Sequence, residues 1–126
     1  MGFVLIFLMN KPSSSILIVE QSQAMLDRLT TAFKSAGFIV SKAKNFYAAM
    51  LLISESVKTR TPFSLMLLDI SGDSYLFFIG NMHQMDFPVL TVRNDADKSL
   101  IIEMLNRGST EFLDHFMETY KAKEFR

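Results

Sequence analysis

Residues 65–74 read LMLLDISGDS: four apolar residues, an acid, and then a turn. Leu65-Met66-Leu67-Leu68 is a continuous apolar run, the pattern of a strand buried on both faces, and Ser71-Gly72-Asp73-Ser74 punctuates it. Asp69 therefore stands at the end of a strand, as a site of chemistry or as a plain polar stop. The same pattern occurs earlier, where Ile16-Leu17-Ile18-Val19 ends at Glu20. Between these runs the periodicity alternates. Ser22 can cap a helix in which Met25, Leu26, Leu29, Ala32 and Phe33 share one face, and Gly37 closes it. Phe38-Ile39-Val40 is a second strand, and Asn45 caps a second helix carrying Tyr47, Met50, Leu51 and Ile53. Pro62 breaks that region, and Ser64–Asp69 is the third strand.

Beyond the turn, a helix is expected through Tyr75 to Met82, and Pro88 opens a fourth strand, Val89 to Arg93. Asn94 or Asp95 caps the next helix, with Leu100, Ile101, Met104 and Leu105 inward and Gly108 at its end. Phe112-Leu113 begins a fifth strand, and Glu118 to Arg126 closes the sequence as a helix. Five strands alternating with helices imply an α/β fold with a doubly wound parallel sheet. Right-handed crossovers leave few topologies, of which the flavodoxin-like (βα)5 order 2-1-3-4-5 is the commonest at this size. In that order the first and third strands are neighbours, and ligands bind beyond their C-terminal ends. Glu20 and Asp69 end those two strands, so two carboxylates converge on the crevice.

The 126 residues amount to one domain, expected over 16–126, with 49% hydrophobic residues and therefore a real core. Thirteen basic and thirteen acidic residues cancel, so no global field points to nucleic acid or an anionic membrane. There is no cysteine, hence no disulfide framework and no thiolate chemistry, which fits the cytoplasm. Residues 1–15 read as a leader or arm: Phe3 to Met9 is an apolar run far short of the roughly 18 residues that span a bilayer. An extra strand, a partner-binding arm and a non-native leader are the readings for it. Nothing resembles a phosphate-binding glycine loop, and His83 in "MHQM" has no acid–histidine spacing for zinc.

The order of elements, with ILIVEQSQ, LMLLDIS, PVLTVRND and GSTEFLDHF, resembles the receiver domain of bacterial two-component response regulators. The likeness runs from about Ile16 to the last helix. It implies a phosphorelay: a histidine kinase donates a phosphoryl group to the aspartate ending the third strand, here Asp69. It also implies a Mg²⁺ site on Glu20, Gln21, Asp69 and the backbone carbonyl of Ser71. Mg²⁺ suits that chemistry because it takes hard oxygen ligands and neutralises charge on the transferring phosphoryl oxygens. Phe112 matches the aromatic position on the fifth strand that rotates between states.

Three positions depart from the family pattern. Gln21 replaces the second acid, which weakens any Mg²⁺ site. Arg93 stands where a Thr or Ser should hold a phosphoryl oxygen, and Thr91 lies about 6–7 Å deeper along the strand. His115 replaces a lysine, so a fixed cation is lost. The sequence thus resembles a degenerate receiver, a signalling module acting by regulated protein–protein contact, with at most self-catalysed phosphotransfer and no other enzyme activity. Arg93 either neutralises Glu20 and Asp69 or turns outward to assist an incoming phosphate. The alternatives are a working phosphoacceptor at Asp69 with Mg²⁺, and a flavodoxin-like enzyme or ligand binder using Glu20 and Asp69 as an acid–base pair. The resemblance implies a kinase or other signalling protein and an output domain as partners. It also implies a homodimer face over about 95–126 that includes Phe116, Met117 and Tyr120. Neither nucleic acid nor membrane is expected as a partner of this domain.

Overall fold

The computed structural model describes residues 14–71, 76, 87–109, 111 and 112. The elements run β1 (Ser15–Val19), α1 (Gln23–Ser35), β2 (Ile39–Ala43), α2 (Phe46–Lys58), β3 (Leu65–Asp69), β4 (Val89–Val92) and α3 (Asp95–Asn106). The four strands form one parallel sheet in the order β2-β1-β3-β4, with helices on both faces, which is a flavodoxin-like arrangement. Val19 pairs with Leu68 and Asp69 with Val92, so Glu20 and Asp69 emerge side by side at the C-terminal edge.

Alternation along each strand builds two cores. On one face Ile16, Ile18, Leu65, Leu67, Leu90 and Val92 pack against Leu26, Leu29 and Phe33 of α1 and Ile101 and Leu105 of α3. On the other, Leu17, Val19, Met66, Leu68 and Val89 pack against Phe46, Ala49 and Ile53 of α2. Glu20 continues the Ile16–Ile18 row and Asp69 the Leu65–Leu67 row, so both carboxylates point to the α1/α3 side. Thr91 and Arg93 continue the row of Val89 on the opposite side.

The helices begin and end as their sequences dictate. Ser22, Asn45 and Asn94 each hold extended backbone and accept, through the side chain, the amide two or three residues into the helix: Met25, Ala48 and Asp97 respectively. All three helices close with the same left-handed turn. Phe38 N–H donates to the Phe33 carbonyl, Thr61 N–H to Ser56 and Ser109 N–H to Met104. The residues carrying the positive φ are Gly37 (99°), Arg60 (57°) and Gly108 (76°). The first turn is reinforced by an edge-on contact of the Phe33 and Phe38 rings, whose centroids lie 5.3 Å apart.

Three sequence expectations are corrected. In α2 the inward stripe is Phe46, Ala49, Ile53 and Ser56, while Tyr47 and Leu51 are exposed, because small residues at the sheet let the helix approach closely. In α3 Leu100 is 39% exposed and the buried stripe is Lys98, Ile101 and Leu105. Phe112 does not open a strand: Glu111 and Phe112 are helical, Ser109 Oγ accepts the Glu111 amide at 3.3 Å, which favours a turn, and the expected fifth strand from Leu113 onward lies outside the described residues. Phe112 is nevertheless fully buried, edge-on to Phe33 at 5.9 Å. The leader before Ser14, the helix expected over Tyr75 to Met82 apart from Leu76, which is helical and exposed, His83, and His115, Phe116, Met117 and Tyr120 lie outside the described residues. Among the described residues no helix is long and apolar enough to cross a membrane.

Candidate functional site

Immediately beyond β1 and β3, local hydrogen bonds tie down each carboxylate. Ser22 N–H donates to Glu20 Oε2 at 2.9 Å while Ser22 caps α1. Ser71 donates to Asp69 Oδ1 twice, through its amide at 2.9 Å and its hydroxyl at 2.7 Å. One oxygen of each carboxylate is thereby fixed by its own loop. The other oxygen of each turns towards a common point on the α1/α3 side.

That point is occupied by the side chain of Lys98. Its Nζ lies 2.5 Å from Glu20 Oε1 and 3.0 Å from Asp69 Oδ2. Asp95, one turn earlier in α3 and exposed, has an oxygen 3.8 Å from the same nitrogen. The three central groups are all buried: Glu20 is 3% exposed, Asp69 7% and Lys98 4%. Burial alone would push the Lys98 ammonium towards losing its proton. The hydrogen bonds and charges of Glu20 and Asp69 outweigh that effect, and its pKa is raised above the usual lysine value. The site therefore holds two carboxylates and a retained internal cation.

Arg93 does not fill this role. It is exposed and forms no ion pair with Glu20 or Asp69 among the described residues, because it follows β4 in the row of Val89 and Thr91, on the opposite side of the sheet. Thr91, paired with Leu68, is buried one residue below the level of Asp69. Gln21 and Ser71 are exposed at the mouth of a cavity of about 310 Å³, lined by Val19, Glu20, Gln21, Lys44, Asn45, Asp69 and Ser71. Lys98 was missed by the sequence reading, although a signal for it existed. Positions 98, 101 and 105 form one stripe at helical spacing, and a lysine in the first turn of that stripe points at the strand ends.

The oxygens expected to hold Mg²⁺ are engaged within the chain itself. All four carboxylate oxygens already have a partner: the Ser22 amide, the two Ser71 donors and the Lys98 ammonium. Among the described residues no three acidic, histidine or cysteine side chains are placed to hold a metal. As arranged, these residues do not fit a divalent cation, since the position between the two carboxylates belongs to an ammonium group.

No protein-family model matches the sequence, and no curated relative matches it. Solved structures do. A response regulator from Thermotoga maritima superposes with a TM-score of 0.53 and 22% identity, over 78% of this chain and 81% of its own. The PhyR stress response regulator matches with a TM-score of 0.50 and 22% identity, over 72% of this chain and 35% of that one. A fusion protein carrying a coiled-coil segment of yeast Spc42 matches with a TM-score of 0.54 and 18% identity, over 88% and 81%. Identities this low establish likeness of fold: the chain has a receiver-like fold, shared with response regulators.

Proposed function

We propose that this is the receiver domain of a two-component signalling protein whose acid pocket is neutralised by its own lysine, and that it acts by regulated protein–protein contact. The observation that carries the reading is the Lys98 ammonium held between Glu20 and Asp69 at 2.5 and 3.0 Å. An aspartate whose outward oxygen is paired with a buried ammonium is shielded from an incoming phosphoryl group. The three departures at Gln21, Arg93 and His115 point the same way, since each removes a group that phosphoryl transfer uses. On this reading the partners are a kinase or another signalling protein and an output domain, the cytoplasm is the site of action, and the segment over 95–126 offers a homodimer face. The domain carries out no separate chemistry.

A second reading, phosphoacceptance at Asp69, is favoured by the cavity into which Asp69 and Ser71 open. Lys98 would then replace the cation lost at His115 and face the phosphoryl oxygens. The acid–base enzyme gains no such support, because among the described lining residues Val19 is the one apolar side chain and small-ligand sites are largely apolar. Incubation with a small acyl phosphate and Mg²⁺, followed by intact-mass measurement, separates the first two readings. The proposed function predicts no added phosphoryl group. A gain of one phosphoryl mass that disappears in Asp69→Asn establishes the second reading instead.

A further inference from the structure

Among the described residues the sheet ends at β2, whose outer edge has no partner strand there. We infer that residues 3–9 dock on that edge as an antiparallel strand, with alternate side chains filling the apolar groove between β2 and α2. The groove lies beside the N-terminal ends of the strands, away from the carboxylates, and its use does not depend on the proposed signalling role.

Four observations carry the inference. The first is the edge itself. Ile39 N–H donates to the Ser14 carbonyl and the Ala43 carbonyl accepts from Glu20 N–H, so residues 39, 41 and 43 turn their backbone groups towards β1. By the alternation of a strand, Val40 and Lys42 turn theirs outward. The second is the groove. A cavity of about 480 Å³ beside the start of β2 is lined in part by Ser15, Ile39, Ser41, Leu52, Pro62 and Phe63. Ile39 is 54% exposed there, whereas β1, β3 and β4 are buried almost throughout. The third is the chemistry of the segment. Phe3-Val4-Leu5-Ile6-Phe7-Leu8-Met9 carries no charge, glycine or proline, and its aromatic and β-branched residues suit a strand. Being apolar at every position, it can meet Ile39 and Leu52 on the α2 side and Val40 on the α1 side. A bare run of this kind and an open strand edge are each aggregation hazards, and pairing them removes both. The fourth is reach. Residues 1–13 lie outside the described residues, and Ser14, which follows them, is bonded to the first residue of β2. The outer edge is two strand spacings from β1, roughly 10 Å. Residues 10–13 can span about 13 Å, enough to cross the start of β2 into an antiparallel strand. A parallel strand would first require a return along β2 of roughly 16 Å, which those four residues cannot supply.

The test is amide hydrogen exchange by nuclear magnetic resonance on the whole chain, with Leu5→Pro/Ile6→Pro as the comparison. Adjacent prolines remove a ladder donor whichever way the strand is phased. The Val40 and Lys42 amides should exchange at least about tenfold more slowly in the natural chain than in the variant. The Ser41 amide, which faces β1, should be unchanged and reports that the sheet is intact. The chain has no cysteine, so a nitroxide can be placed at the exposed groove residue Glu55 through Glu55→Cys. It should broaden the signals of residues 3–9, and the proline pair should abolish that broadening. Equal exchange of Val40 and Lys42 in a natural chain and a variant with Ser41 protected overturns the inference. So does broadening without protection of Val40 and Lys42, and so does protection that appears only as light scattering shows a dimer, which gives the edge to a second copy. If Ser41 also loses protection in the variant, the nitroxide on the natural arm decides alone, and unbroadened signals from residues 3–9 overturn the inference.

Discussion

Replacing Lys98 by methionine keeps most of the side chain's length and removes its charge, which leaves Glu20 and Asp69 buried together with no cation. In the structure both carboxylates are less than a tenth exposed and both take the ammonium within 3.0 Å. Removing one partner of a buried ion pair costs about 3–5 kcal/mol, most of it from the uncompensated charge left behind. Here two like charges are left, although Ser22 and Ser71 still hold one oxygen of each, so the upper half of that range is expected. Against a total stability of roughly 5–15 kcal/mol the loss is severe. At about 4 °C per kcal/mol for a domain of this size, the melting temperature should fall by roughly 15–20 °C. The chain has no tryptophan, so urea unfolding followed by far-ultraviolet circular dichroism is the suitable assay. The triple variant Glu20→Gln/Asp69→Asn/Lys98→Met removes every charge and should recover most of the loss. A cost below about 1 kcal/mol for Lys98→Met alone would refute the reasoning, because that is the range of solvent-exposed ion pairs.

Other outcomes follow from the same structure. Arg93→Ala should change stability by no more than about 0.5 kcal/mol, since Arg93 is exposed and has no ion pair among the described residues; the contrast with Lys98 is measurable in the same urea series. Because the Lys98 pKa is raised in the folded state, its stabilising contribution is complete below the ordinary value of 10.5 and is lost as the pH climbs through the higher folded value. The natural chain should therefore lose stability across that alkaline range in melting experiments, and Lys98→Met should lack that component. Arg60 adopts a positive φ of 57° at the end of α2, where Gly37 and Gly108 serve the other helices. Arg60→Gly should thus gain up to about 1 kcal/mol of stability, seen as a higher urea midpoint. Asn94→Ala removes the cap that accepts the Asp97 amide at 2.9 Å and should cost about 1 kcal/mol by the same assay.

The parts of the fold that were legible in the sequence are those where local chemistry and tertiary structure agree. The apolar runs ending in Glu20 and Asp69 are β1 and β3, and Ser22, Asn45 and Asn94 cap helices because their short polar side chains reach orphaned amides. Helix phase was less legible. Ala49 and Ser56 carry the inward stripe of α2 although Tyr47 and Leu51 are larger and more apolar, so a reading weighted by size selects the wrong face. The same error hid Lys98. Choosing Leu100 as an inward residue rotates α3 and places Lys98 in solvent, whereas the stripe through Ile101 and Leu105 brings it under the strand ends. A cation was expected at the carboxylates, and one is there, but residue adjacency suggested Arg93, just after β4. The alternation of β4 turns Arg93 to the opposite face of the sheet, and only the packing of α3 against α1 brings Lys98 across.

The central claim is that the Lys98 ammonium is held, charged, between Glu20 and Asp69. A pH titration of the Lys98 side-chain nitrogen by ¹⁵N nuclear magnetic resonance tests it most directly. The structure predicts a slowly exchanging ammonium signal whose titration midpoint lies above the ordinary 10.5 and moves when Glu20 is changed to Gln. A freely exchanging ammonium with a midpoint at or below 10.5, unaffected by Glu20→Gln, would contradict it.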